Sequence, residues 1–469
     1  MVKAHIDHEL GAVASAANAA RGIPPEVAEH MAEGRALRQQ APRSSHASWT
    51  PAADRPDPVE LLQEQEWTRL PDLVPIRYGR MMVSPFAFLR GSATVMARDL
   101  ATTPASGLTV QACGDAHLSN FGAFATPERN LVFDLNDFDE TLPAPWEWDV
   151  KRLAASIVVA GRTNGFAPAD CTRAALAAVR SYRKRLGSYA MMGHLAVWYT
   201  RIDSDQVADS LPKVTQRDWQ RGVGRAMRRD HLQTLAKMTA VTADGRIRIV
   251  DDPPLIVHHS DELVATYLPT FVQAYQSSIR DDLRALLQRY TYVDFARKTV
   301  GVGSVGTRCY VVLLRGNHDA DPLLLQIKEA TASVLEPYAG KSRYENHGQR
   351  VVRGQQFVQA TTDIFLGWGS VEGHDLYVRQ LRDMKGSVDV TLLTPDRMAL
   401  YARLCGWVLA RAHARSGDAA RIAGYLGGST TFDEAIASFA DAYADQTERD
   451  HAALVSAIKD GRVAAIAGE

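Results

Sequence analysis

Cysteine, charge of one sign and long apolar runs are what this sequence has little of. Its four cysteines, Cys113, Cys171, Cys309 and Cys405, lie far apart. With no CxxC pair and no zinc spacing, neither a disulfide-stapled scaffold nor a zinc framework is expected, and reduced thiols are. Lys and Arg number 53 against 54 Asp and Glu, so no bulk field draws the chain to nucleic acid or to an anionic membrane. Any anion binding must be local. No apolar run approaches the ~20 residues that cross a bilayer. The opening stretch MVKAHIDHELGAVASAANAARG is small and polar where an export signal needs a continuous apolar core. The expectation is a cytoplasmic protein with no membrane and no nucleic-acid partner.

At 469 residues the chain is too long for one ordinary domain. Residues 1–58 hold one predicted helix (Pro24 to Gln40) and a Ser/Pro/Ala-rich stretch, APRSSHASWTPAADRPDP, that reads as an extended arm. Residues 59–290 read as a mostly helical large lobe carrying two strands, GLTVQACGDAH and LVFDLNDFDE; from Val59 to about Leu100 the pattern is helical, and from about Trp148 to Tyr290 mostly so. Residues 291–390 turn β-rich, with a helix near Ser342 to Ala360, and residues 391–469 return to helices. The fold class is α+β, two-lobed, and no internal repeat is visible.

Two polar constellations stand out. In CGDAHLSNFG a strand runs into a loop that sets Asp115 five residues before Asn120. A carboxylate there can orient a hydroxyl, and an amide oxygen can reach a metal. Seventeen residues after Asn120, Asp137 opens the Asp-Phe-Asp that ends at Asp139. A β-hairpin joining the two would gather Asp115, Asn120 and Asp137 at one edge, a sparse oxygen set that suits Mg²⁺. Either motif alone reads more simply as turn chemistry; their order and spacing together favour a site.

The second constellation is Gly301-Val-Gly-Ser-Val-Gly306. A dinucleotide-binding turn requires a helix directly after such glycines, yet TRCYVVLL follows, which predicts a hairpin whose backbone N–H groups approach phosphates. The next strand, LLLQIKE, embeds Lys328 among apolar residues, where it needs an anionic partner. Glu345 is the expected partner and Glu336 the second choice.

These residues resemble a known pattern. CGDAHLSN is similar to the HGDxHxxN catalytic loop of aminoglycoside and choline kinases, with Cys113 in place of the first histidine. VFDLNDFDE resembles their metal-binding strand end, WEWDVKRLAAS with Asp149 the helix after it, and GVGSVG with Lys328 the glycine-rich loop and third-strand lysine. Most of the chain also resembles the bacterial domain of unknown function 2252 family, through GDAHLSNFGAF, NDFDETLPAPWEWDVKRLAAS, KTVGVGSVGTRCYVVLL and YVRQLRDMKGS.

The kinase resemblance implies a protein-kinase-like fold, circularly permuted because the catalytic motifs precede the glycine loop. It implies ATP and Mg²⁺ as ligands. Asp115 would be the base, and Asn120 and Asp137, with Asp139 helping, the metal ligands. Lys328, held by Glu345, would contact the α- and β-phosphates. Gly301, Gly303, Ser304 and Gly306 would cover the triphosphate, and backbone near Gln380 to Arg382 would bind adenine. Helix Leu400 to Arg415 or Phe86 to Leu100 would fill the place before the catalytic loop. The expected activity is phosphoryl transfer to an unknown hydroxyl acceptor. A nucleotide-binding regulator without turnover and an AMP transferase are the alternatives.

Overall fold

A computed structural model describes residues 22–228, 238–242, 247–258, 261–299, 301–318, 320–381 and 386–466. Its strands are β1 (Thr109–Ala112), β2 (Phe121–Ala125), β3 (Leu131–Leu135), β4 (Leu142–Pro145), β5 (Thr239–Val241), β6 (Ile247–Ile249), β7 (Ile256–His258), β8 (Thr291–Lys298), β9 (Cys309–Arg315), β10 (Pro322–Glu329), β11 (Gly367–Val371), β12 (His374–Gln380) and β13 (Gly386–Ser387). The chain is α+β, and each strand pairing is antiparallel.

The largest sheet has six strands in the order β11-β12-β10-β9-β8-β7. Strand β10 is buried along its whole length, which is why LLLQIKE reads as nearly continuous apolar sequence. The period of two then sorts its side chains. Leu323, Leu325 and Ile327 join Phe271, Tyr275, Leu376 and Val378 on one face. Leu324 packs with Val311 and Leu313 on the other, and alternation places Gln326 and Lys328 on that same face. Across the sheet Lys328 stands between Cys309 and Tyr377.

Long helices make the other body. Trp146–Thr163, Pro168–Ala190, Pro395–Ser416 and Thr431–Lys459 bury the main apolar cluster. Helices Pro168–Ala190 and Pro395–Ser416 cross where Gly406 lies, and a Cβ there would sit 2.1 Å from the carbonyl oxygen of Ala178. The small antiparallel sheet β13-β2-β3 and the pair β1-β4 rest on this body. The six-stranded sheet interrupts it in sequence: the chain leaves after helix Lys213–Arg228 and returns with Pro395–Ser416.

Three expectations are corrected or refined. The run from Trp148 to Tyr290 is mostly helical as expected, but it also contains β5, β6 and β7, and β7 pairs with β8. The sheet therefore starts at Ile256 rather than 291. Helix Asp261–Ser278 belongs with it, since Tyr275 Oη donates to the Phe365 carbonyl at 2.7 Å. Strands of three residues between helices carry too little periodicity to be told from loops. Second, the helical stretch after Val59 is four short helices, Pro58–Gln63, Val74–Met81, Pro85–Gly91 and Ala93–Ala101, three of them with Pro in the first turn. Third, the arm is docked rather than extended. Arg55 Nε donates to Asp99 at 2.8 Å and its Nη2 to Asp450 at 2.6 Å, while His46 is buried against Tyr425 and Phe432.

Buried charge pairs tie the helices to the hairpin β2-β3. Arg411 Nη2 donates to both oxygens of Asp134, at 2.6 and 2.8 Å, and neither side chain is exposed by more than 3%. Removing one member leaves the other charged and unpaired in the core. Asp134→Ala is expected to cost about 3–5 kcal/mol in a urea titration. A loss below ~1 kcal/mol would show that this pair does not clamp the hairpin.

Candidate functional site

The CGDAHLSN motif is built where β1 ends. Asp149, in the first turn of helix Trp146–Thr163, accepts from the N–H groups of Cys113 (2.7 Å) and Gly114 (3.0 Å), and His413 approaches it at 3.2 Å. Gly114 has φ +83°, and a Cβ on it would lie 2.2 Å from the Glu140 carbonyl oxygen. Both the dihedral and the space therefore require glycine. Farther along the helix Ser156 Oγ accepts from Leu118 N–H at 2.9 Å. Tyr401, on helix Pro395–Ser416, donates to the Phe121 carbonyl at 2.9 Å.

The hairpin β2-β3 forms as expected, with Phe121 opposite Leu135. It brings Asp115, Asn120, Asp137 and Asp139 to one cavity of about 1540 Å³, also lined by Gly301, Gly303 and Ser304. The glycine loop lies between β8 and β9, so the hairpin reading holds. Gly301 and Gly306 take φ of +70° and +93°. Arg80 donates to the Gly301 carbonyl at 2.6 Å, and Arg69 to those of Gly303 and Val305. Ser304 Oγ reaches Asp139 Oδ2 at 3.3 Å, which closes the loop onto the acidic strand end.

Lys328 makes the contact on which the site turns. Its Nζ pairs with Asp139 Oδ2 and lies 3.6 Å from Asp137 Oδ1. Burial alone would favour the neutral amine, but the Asp137 and Asp139 carboxylates raise its pKa well above the ordinary value. Tyr377 Oη donates to Asp139 Oδ1 at 2.8 Å. Glu345 is exposed and is not this partner; Glu336 accepts from Ser333 N–H instead. Helix His347–Val358 contains no carboxylate at all. It offers Arg350, whose guanidinium donates to the carbonyls of Asp139 (2.7 Å) and Thr141 (2.8 Å) and so fixes the acidic turn by its backbone.

Asn120 acts here as a clasp. Its Oδ1 accepts from Asp137 N–H at 2.7 Å, and its Nδ2 donates to the carbonyls of Asp115 and Asp137, both at 3.0 Å. Asn136 N–H also donates to Oδ1, at 3.3 Å, so a metal bound there would have to displace one of the two donors. Among the described residues no group of three or more His, Cys, Asp or Glu side chains is placed to hold a metal ion. Asp137, with a side chain 45% exposed, and Asp139 supply two carboxylates at the cavity. That suits Mg²⁺, which takes one or two carboxylates and completes its shell with water and phosphate.

Gln380 does not offer its N–H, which donates to Asp363 Oδ2, and Leu381 N–H donates to the Leu324 carbonyl at 2.8 Å. The backbone expected to bind adenine is thus occupied at these two positions, and Arg382 lies outside the described residues. The sequence reading missed Arg152, three residues beyond Asp149 on the same helix face. Its Nε donates to Asp115 Oδ1 at 2.5 Å and its Nη2 to the Leu89 carbonyl at 2.9 Å. The spacing Asp149–Arg152 was the available signal. Burial holds His117, 3.8 Å from Asp115, down at a pKa of about 4, so the ring is neutral at pH 7. Burial also pushes the Cys113 thiol up.

Residues 69–457 match the family described as an uncharacterized protein conserved in bacteria (DUF2252). The chain belongs to this family. No curated protein and no solved structure matches it. No helix among the described residues is long and apolar enough to cross a membrane, and the four cysteines are unpaired.

Glu140, beside the acidic pair, accepts from Val334 N–H at 2.7 Å, and burial raises its pKa to about 7. The raised value means that the folded state keeps a proton which the unfolded chain releases near 4.5. Stability from this group is complete below that pH and is lost as pH rises toward 7. Glu140→Gln should therefore gain about 1–2 kcal/mol on the natural protein between pH 4.5 and 7.5, in urea titrations at several pH values. A difference that does not change with pH would remove Glu140 as the titrating group.

Proposed function

We propose that this protein is an ATP- and Mg²⁺-dependent phosphotransferase with a kinase-like, circularly permuted fold. The observation that carries the reading is the contact of Lys328 with Asp137 and Asp139, across 189 residues of sequence in the case of Asp139. What supports the reading is that Asp137 and Asp139, the partners of Lys328, line the same cavity as Asp115, Gly301, Gly303 and Ser304. The order of elements supports the resemblance: a glycine turn between β8 and β9, the lysine on β10, a helix, then β11 and β12. Helix Pro395–Ser416 supports permutation, because it reaches the catalytic loop through Tyr401 although it follows that loop in the chain.

In this reading the acceptor hydroxyl attacks the γ-phosphorus of ATP. The new O–P bond forms as the bond from γ-phosphorus to the β,γ-bridging oxygen breaks, and ADP leaves with that electron pair. Asp115 takes the hydroxyl proton and passes it to solvent. Arg152 anchors Asp115 through Oδ1 and thereby sets the direction of Oδ2. Lys328 exchanges part of its contact with Asp139 for phosphate oxygens, and the backbone N–H groups of 301–306 approach the same phosphates. Mg²⁺ held at Asp137 and Asp139 would neutralise phosphate charge. Most of the catalysis is positioning and electrostatics.

The full chain incubated with Mg²⁺ and ATP labelled at the γ-phosphate should transfer the label or release it slowly to water. Asp115→Ala should lower that turnover by about 10²–10⁴ while ATP still raises the melting temperature. Label arriving from the α-phosphate instead means AMP transfer. Binding without any transfer means a regulator that has no turnover.

A further inference from the structure

We propose that the acceptor is an anion, a hydroxyl compound that also carries phosphate or carboxylate, and that Arg90 and Arg98 hold its charge. This rests on the phosphotransfer reading and concerns the part of the cavity that the nucleotide does not explain. Around the Asp115 loop and the sheet, Asp115 is answered by Arg152, Asp137 and Asp139 by Lys328, and Glu329 by Arg308 at 3.1 Å, while Glu140 accepts from Val334 N–H. The wall contributed by residues before β1 carries Arg69, Arg90 and Arg98 against Glu64, an excess of positive charge. Arg90, Thr94 and Arg98, at intervals of four residues, all line the cavity.

Among the described residues neither Arg90 nor Arg98 has a carboxylate within ion-pair distance, and Arg90 Nε is buried with no hydrogen-bond partner. Burial lowers the Arg90 pKa, and the main opposing influence is Asp115 itself. A guanidinium held half-buried without an anion carries an uncompensated desolvation cost, which a bound phosphate or carboxylate removes. Its location gives the anion a place. A Cβ on Gly303 would lie 3.1 Å from the Arg90 carbonyl oxygen, and the Arg90 charge acts on both Asp115 and His117. Arg90 thus lines the same cavity as the proposed base Asp115 and as Gly303 at the edge of the glycine loop, where an acceptor must enter. A cationic acceptor would face repulsion there.

The test uses the full chain saturated with Mg²⁺ and the non-hydrolysable imido analogue of ATP, titrated with inorganic phosphate in a calorimeter. Phosphate should bind alongside the nucleotide. Arg90→Gln with Arg98→Gln should weaken phosphate by about tenfold or more, the scale of a lost charge-assisted hydrogen bond, with nucleotide affinity kept. The pair Arg90→Lys with Arg98→Lys should retain part of the phosphate affinity and guards against misfolding as the cause. Phosphate that is excluded by the nucleotide would assign the arginines to the ATP phosphates and overturn the proposal while the kinase reading stands. Phosphate binding that is absent, or indifferent to the Gln variants, overturns it too. Arginine-dependent phosphate binding in a chain that binds no nucleotide would instead remove the phosphotransfer reading and leave the anion site standing.

Discussion

A lysine ammonium buried in the middle of a six-stranded sheet cannot be left alone, and its satisfaction joins the two halves of this molecule. Lys328 finds Asp137 and Asp139, which stand at the end of a hairpin belonging to the helical body. The pairing demands that sheet and hairpin meet in a fixed register. Tyr377, on the neighbouring strand, and Arg350, on the helix that follows β10, secure the same acidic turn from two further directions. An isolated buried ion pair is weak ground for stability. Here Asp139 is also hydrogen-bonded, to Tyr377 and Ser304, and both carboxylates stand at a cavity, which makes them available for exchange with another anion or cation.

That exchange is the physical content of the kinase-like reading. In the structure the lysine bridges the two aspartates, and Ser304 of the glycine hairpin touches Asp139. A triphosphate with its cation offers the same charges in a different arrangement. Asp115 stands apart from this cluster, oriented by Arg152, and the arginines of the preceding helices line the same cavity. One cavity thus holds two electrostatic environments, one nearly balanced and one cationic.

Much of the site was legible because its motifs are local. The hairpin that gathers Asp115 and Asp137 follows from two β-rich runs and a turn, and the choice of hairpin over helix after Gly306 follows from TRCYVVLL. Lys328 was identifiable as a lysine in need of a partner, but Glu345 was the wrong one. Sequence proximity suggested a carboxylate just ahead of the next helix, whereas the partners come from the far lobe. Asn120 shows a similar limit: its spacing fits a ligand, yet its amide is spent on backbone groups of the turn it closes. Arg90 and Arg98 carry no local signal, because an arginine on a short helix resembles any solvated side chain until its surroundings are known.

The sequence by itself determined the α+β class, the family, the order of the motifs and the residue types that meet at the cavity. These depend on short-range periodicity, turn chemistry and matched strings, which a linear text records. Tertiary structure alone decided which charges pair, that β7 and helix Asp261–Ser278 join the sheet, that the N-terminal arm is docked by Arg55, and that one wall is left cationic. Burial and Coulomb attraction act through space, so a buried charge chooses the partner that the packed chain brings near, whatever its distance along the sequence.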